Sequence, residues 1–194
     1  IFAENERTAR RFLKSMDASI VINKFEWHTI NETENDCVPE FKKALLSGKN
    51  IAIISEAGCP GVADPGQILI AVAQQMNAVV KPLAGPSSIL LALMASGMNG
   101  QQFEFKGYLP IDSSERIQAI KLLESDSKKQ NSTKIFIETP YRNNQLWEAL
   151  LRYCQPNTRL CVAINITGTN ERISTKRVAD WKKETIDLHK KPVI

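Results

Sequence analysis

The sequence predicts an α/β protein, built as two α/β lobes with mainly parallel sheets and an inter-lobe cleft. Short apolar runs alternate with helix-compatible stretches along the whole chain. Two of these runs pass directly into loops rich in glycine and proline, and one break near the middle separates two sets of elements. Strands covered on both faces read as continuous apolar runs, and their alternation with helices is the pattern of parallel βαβ units.

In the first half the expected strands are "IVI" at 20–22, "IAII" at 51–54 and "VV" at 79–80. In the second half they are "IFI" at 135–137 and "LCVAI" at 160–164, each a short β-branched or aliphatic run. Helices are expected at 38–46, 67–76, 87–96, 113–123 and 143–153 from composition and punctuation. Pro86 suits the first turn of the third helix and Gly97 its C′ position. That helix is apolar on nearly every side, which predicts deep burial. In "FEFKGYLPIDSSER", Gly107 and Pro110 break the pattern, and Asp112 or Ser113 can cap the helix that follows. The lobes are therefore expected at 1–109 and 110–194, both of plausible domain size. The chain opens on Ile1 rather than Met, so a preceding N-terminal piece is expected.

Composition narrows the function classes. Of 194 residues, 43% are hydrophobic and 24% charged, a globular balance and not a disordered one. No apolar run approaches the ~20 residues that span a bilayer, and no secretory signal is visible, so no membrane partner is expected. Cys37, Cys59, Cys154 and Cys161 form no C-x-x-C pair and read as reduced thiols of a cytoplasmic protein. With only His28 and His189, far apart, a histidine-based zinc site is disfavoured and no metal is expected; a serine or cysteine hydrolase is disfavoured too. The net charge of +4 leans toward anionic partners without amounting to a nucleic-acid signature.

The loops carry the functional signal. "SEAGCPG" leaves the carboxyl end of the strand at 51–54, and "LAGPSS" leaves that of the strand at 79–80. In a parallel sheet both emerge at the rim where α/β proteins bind ligands. Glycine lets backbone groups approach a small molecule with no Cβ in the way, and the following helix points free N–H groups at the same rim. Tight turns without a ligand have the same composition. Neither a G-x-x-x-x-G-K-[ST] nor a G-x-G-x-x-G motif is present.

"SEAGCPGVADPG", followed by "LAGPSS" and "ALMASG", resembles the tetrapyrrole methylase family of S-adenosylmethionine-dependent methyltransferases. Within it the chain is most similar to the ribosomal-RNA small-subunit methyltransferase I branch. That branch carries S-D-A-G-T-P-G-I-S-D-P-G, then P-G-P-S-A and A-S-G-L. "AENERTARRFL" at 3–13, "FKGYLP" at 105–110 and "FIETPYR" at 136–142 resemble further segments of that branch, in the same order. The resemblance implies two α/β lobes with S-adenosyl-L-methionine held in the cleft, largely by backbone groups. Carried over, the donor contacts fall at Ser55, Glu56, Ala57, Gly58, Cys59, Ser87 and Ser88, with Glu138 at a strand end and Lys176 further on. The resemblance also implies a ribosomal RNA or small-subunit acceptor, methylation of a ribose 2′-hydroxyl, and a homodimer. Other acceptors, a tetrapyrrole among them, and donor binding without catalysis stay open. The departures from the branch pattern lie at Asn5, Asn165 and Gly168.

Methyl transfer from a sulfonium requires alignment and exclusion of water more than activation, and a base or charge near the acceptor hydroxyl helps. Glu4 and Arg7 are the catalytic candidates because the family places this segment near the cleft. Glu4, Arg7 and Arg11 also have the i, i+3, i+7 spacing of surface pairs. If the segment is helical, Arg7, Arg10, Arg11 and Lys14 form a basic stripe, and Arg10 and Arg11 are acceptor-contact candidates. Tyr141 and Arg142, after a strand end, are further acceptor-side candidates.

Overall fold

The computed structural model describes residues 1–30 and 33–194. The chain forms two compact units, Ile1–Ser87 and Ser88–Ile194.

In the first unit a three-stranded parallel sheet has the order β2-β1-β3, with β1 at Phe2–Ala3, β2 at His28–Thr29 and β3 at Ile53–Ile54. Phe2 registers with His28 on one side and Ile53 on the other. The central strand is two residues long, yet Phe2 and Ala3 are almost wholly buried. The Phe2 ring stacks on His28 at 4.5 Å and meets Phe41 edge-on at 5.2 Å. α1 (Glu6–Met16) follows β1 in the chain, and α2 (Val38–Leu46) and α3 (Gln67–Gln75) pack on the Phe2 core. Phe41 of α2 and Leu69, Val72 and Ala73 of α3 complete the core with Phe2 and Ile30. Local signals explain the helix ends. Asn5 accepts the Thr8 N–H at 3.1 Å and caps α1, and α2 carries its proline in the first turn.

Two expected strands of this unit are absent. The stretch "IVI" at 20–22 runs into a 3₁₀ turn at Ile22–Lys24, because Val21 is half exposed and no side chain of the run is buried. The Asp17 carboxylate already fixes the chain there by accepting the Ser19 N–H at 2.7 Å. Residues 79–80 form no strand among the described residues, and Val79 is 85% exposed.

The second unit begins with α4 (Ser88–Ser96), followed by β4 (Phe103–Tyr108), α5 (Ser113–Gln130), β5 (Thr133–Ile137) and α6 (Asn143–Tyr153). It continues with β6 (Arg159–Ile164), β7 (Arg172–Arg177) and a short α7 (Val178–Trp181). β4 and β5 pair in parallel, while β6 and β7 pair antiparallel. Among the described residues, the expectation of mainly parallel sheets holds for two of the three sheets. β7, "RISTKR", has no apolar run to announce it. Trp181 is fully buried, meets Trp147 edge-on at 5.2 Å and donates its indole N–H to the Leu160 carbonyl at 2.8 Å.

Asp112 caps α5, accepting the Ser114 and Glu115 N–H groups at 2.9 and 3.0 Å. α5 runs to Gln130, beyond the expected end at 123, because its last turns are polar and only Ile120 is buried. α4 begins two residues after Pro86, which thus precedes its first turn. It is not buried all round: Ile89, Ala92, Leu93 and Ser96 are buried, while Leu90 is 48% and Met94 78% exposed. The units divide at residues 87 and 88, earlier than the expected 109 and 110. Gly107, at φ +65°, marks a register shift inside β4, and α4 packs on β5 through Ile89, Leu93 and Ile135.

Candidate functional site

β1 and β3 are parallel neighbours, so the residues that follow each leave at one rim of the first unit. After Ala3 comes Glu4, and after Ile54 come Ser55 and Glu56. The Glu4 carboxylate accepts the Glu56 N–H at 2.7 Å, tying the two strand ends together. Thr8, in the first turn of α1, donates its hydroxyl to the Glu56 carboxylate at 2.8 Å. The Ser55 hydroxyl donates to the Ala57 carbonyl at 3.1 Å. Ala57 and Gly58 are exposed and Cys59 is partly buried.

Gly58 sits at φ +72°, a left-handed conformation that favours glycine, and a Cβ there would lie 3.0 Å from the Asp64 carboxylate. The Cys59 thiol donates to the Pro86 carbonyl at 3.8 Å, which brings the second glycine-proline segment against the first. The pair of loops read from the sequence therefore converges within this unit as far as Ser87. Residues 79–80 lie outside the sheet, so the convergence rests on this contact and not on two strands of one sheet.

Two groups that the sequence did not single out shape this rim. Glu34 accepts the Gly66 N–H and, at 2.7 Å, the Ile68 N–H, so one carboxylate closes the glycine-proline loop and caps the start of α3. It lies 32 residues before Gly66 in sequence, and no local pattern links them. Asp64 faces Gly58, and burial, then the charge of Glu4, pushes its carboxyl above the usual range. With Glu4 and Glu56 it gives the rim a negative face.

The basic stripe on α1 is real but divided. Arg10 pairs with Glu6 and lies over the Trp27 ring at 5.1 Å, and Lys14 donates to the Ala18 carbonyl at 2.8 Å. Arg7 and Arg11 are exposed, and no ion pair engages either among the described residues. Asn5 departs from the family pattern and has a local use, since its side chain caps α1.

In the second unit Ser88 is exposed and opens α4. Glu138, at the end of β5, has a side chain only 2% exposed. Its Oε1 accepts two bonds from the Arg142 guanidinium, at 2.6 and 3.0 Å, and the Thr139 N–H at 2.6 Å. Arg142 is thus committed to Glu138, whereas Tyr141 is 70% exposed and meets His189 edge-on at 6.0 Å. Lys176 pairs with Glu184 and lies over the Trp181 ring at 4.9 Å. Asn165 and Thr167, at φ +50° and +66°, shape a turn closed by the Gly168 N–H donating to the Asn165 carbonyl at 2.8 Å. The departures at Asn165 and Gly168 therefore coincide with a tight turn. Among the described residues no three His, Cys, Asp or Glu side chains converge as metal ligands.

A parallel sheet edge whose glycine-rich loops converge on one rim is the setting in which α/β proteins hold nucleotide-like ligands. The chain belongs to the tetrapyrrole (corrin/porphyrin) methylases, whose family profile matches residues 1–181. It is 34% identical over 180 residues to the ribosomal RNA small subunit methyltransferase I of Vibrio cholerae, covering 93% of this chain and 60% of that protein. To the protein of the same name from Halalkalibacterium halodurans it is 27% identical over 187 residues, covering 95% of this chain and 62% of the relative. Its fold is similar to the crystal structure of the methyltransferase CobJ, with a TM-score of 0.56 and 18% identity, over 86% of this chain and 72% of that one. The chain thus spans about three-fifths of the length of these curated relatives.

Proposed function

We propose that this chain carries the methyl-donor site of an S-adenosylmethionine-dependent methyltransferase, and that its acceptor is a ribose 2′-hydroxyl of small-subunit ribosomal RNA. The observation that carries this reading is the joined rim, with Glu4 bonded to Glu56 and Cys59 against Pro86. The names of the two curated relatives support small-subunit ribosomal RNA as the acceptor molecule. The residues fit the donor. Gly58, at φ +72°, leaves backbone uncovered in the loop, and three carboxylates complement a cation.

When bound, S-adenosylmethionine supplies a methyl group on a sulfonium that departs as a neutral thioether, so transfer is an in-line displacement needing little further activation. Residues 55–59 and Ser87 hold the donor, mainly through backbone groups. The bond from the Glu56 N–H fixes Glu4 so that its remaining oxygen accepts the proton lost by the 2′-hydroxyl. Arg7, on the exposed face of α1, balances the charge of the hydroxyl oxygen and its neighbouring phosphate, with Arg11 beside it. Arg10 supports that face from its pair with Glu6. A cytoplasmic homodimer is part of this proposal; free cysteines are consistent with a reducing compartment.

The test is transfer of labelled methyl from S-adenosylmethionine to small ribosomal subunits that lack the mark. The reading expects label in the RNA, resistant to base hydrolysis at one ribose. Donor binding with no transfer to RNA or to a tetrapyrrole would overturn the catalytic reading.

A further inference from the structure

Glu56 is exposed, and a glutamate side chain free in water samples many rotamers. Here it is held at both ends. Its N–H donates to the Glu4 carboxylate at 2.7 Å, and the Glu4 N–H donates to the Ile54 carbonyl at 2.9 Å, so its backbone is fixed where β1 and β3 end. At the other end Oε1 accepts the Thr8 hydroxyl at 2.8 Å, across 48 residues of sequence. Among the described residues the second oxygen, Oε2, accepts no hydrogen bond, and no Lys, Arg or His pairs with the carboxylate.

The helix end does not need this bond. Thr8 lies in the first turn of α1, and the Asn5 side chain already takes its N–H at 3.1 Å, so the cap is complete without Glu56. The next residue, Ala9, is buried and donates its N–H to the Asn5 carbonyl at 3.0 Å, which holds the turn in place. Threonine is stiff at χ1, so its hydroxyl points in few directions, and its single hydroxyl proton goes to Glu56. Reach matters as well. Aspartate, which the branch pattern carries at this position, would withdraw the carboxylate by about 1.5 Å, one carbon–carbon bond, and out of hydrogen-bond range of Thr8.

A carboxylate locked through one oxygen, with no cation on it, offers its second oxygen to a hydrogen-bond-donating group of a ligand. We propose that Thr8 is a positioning residue for the methyl donor and acts through Glu56: its hydroxyl fixes Oε1, so that Oε2 is oriented before the donor arrives. The rotamer freedom that Glu56 would lose on binding is then already lost in the free chain, which strengthens binding with no added contact. This role rests on the donor reading above and adds to it a residue of α1 that touches no donor atom.

The test is calorimetric affinity for S-adenosylhomocysteine, measured on the unmodified chain, Thr8→Val, Thr8→Ser, Glu56→Asp and the Thr8→Val, Glu56→Asp double variant. Valine keeps the branched shape without the hydroxyl, and serine keeps the hydroxyl. The proposal expects Thr8→Val to weaken binding by about fivefold and Thr8→Ser to stay within about twofold of the unmodified chain. In the Glu56→Asp background it expects Thr8→Val to change affinity by less than about twofold. Should Thr8→Val fail to fold, Thr8→Ala, a better helix former, replaces it in both backgrounds. Equal loss from Thr8→Val in both backgrounds, no loss in either, or binding by Thr8→Ser as weak as by Thr8→Val overturns this role and leaves the donor reading standing. No binding by the unmodified chain overturns both.

Discussion

At the scale of single residues, carboxylates shape the rim of the first unit. Asp64 holds its proton to higher pH in the folded chain than at its ordinary value of 3.8, because of burial and the nearby Glu4. A group raised in this way favours the fold at acid pH, and that contribution is lost as pH rises from 3.8 through the raised value. At neutral pH the ionised group costs stability. Asp64→Asn is therefore expected to raise Tm at pH 7 and leave it nearly unchanged at pH 3, a difference that thermal melts at the two pH values will show. Glu4→Gln is expected to lower kcat of methyl transfer by on the order of 10²-fold while donor affinity changes little. Arg7→Ala is expected to weaken transfer to RNA more than donor binding, and equal loss of both would undo its assignment. Burial pushes the Cys154 thiol up to about 12 and also raises Cys161. Both are expected to resist alkylation at pH 8, followed by mass spectrometry of the intact chain. Glycines and prolines announce a rim loop in the sequence. Glu34 does not, because a carboxylate that reaches across 32 residues leaves no local trace.

At the scale of elements, long helices with clear ends were legible and short strands were not. α6 coincides with the expected 143–153 and α2 with 38–46, since apolar spacing and flanking breakers mark their limits. β1 was missed because two residues carry no periodicity, although Phe2 and Ala3 centre the first sheet. The apolar runs at 20–22 and 79–80 failed for the opposite reason: hydrophobic content without a neighbour to bury it makes no strand. The loop after β3 is where element and site meet. Gly66 sits at φ +126°, and a Cβ there would come within 3.1 Å of the Ile53 side chain. Gly66→Ala is expected to cost more than about 1 kcal/mol by denaturant unfolding, and to weaken donor binding along with stability. The Glu34 carboxylate holds the same residue, so Glu34→Ala is expected to reduce donor affinity, with partial rescue in Glu34→Gln, which keeps an acceptor oxygen.

At the scale of the whole molecule, the family was legible because its loops demand particular backbone conformations, and such demands preserve sequence where side-chain contacts do not. "SEAGCPGVADPG" keeps glycine at 58, 61 and 66, and all three have positive φ. The candidate residues of the second unit were less legible: Arg142 and Lys176 are held by Glu138 and Glu184, pairings that follow from the tertiary fold. The division at residues 87 and 88 was hidden for a similar reason, since Gly107 reads as a breaker in sequence but forms a bulge in β4. The central claim is that residues 55–59 and Ser87 hold the methyl donor at one rim. Amide chemical-shift mapping of the chain titrated with S-adenosylhomocysteine tests this most directly. The account predicts saturable shifts concentrated at residues 55–59 and Ser87 and diminished in Gly58→Val; shifts confined to other parts of the chain, or none at all, would contradict it.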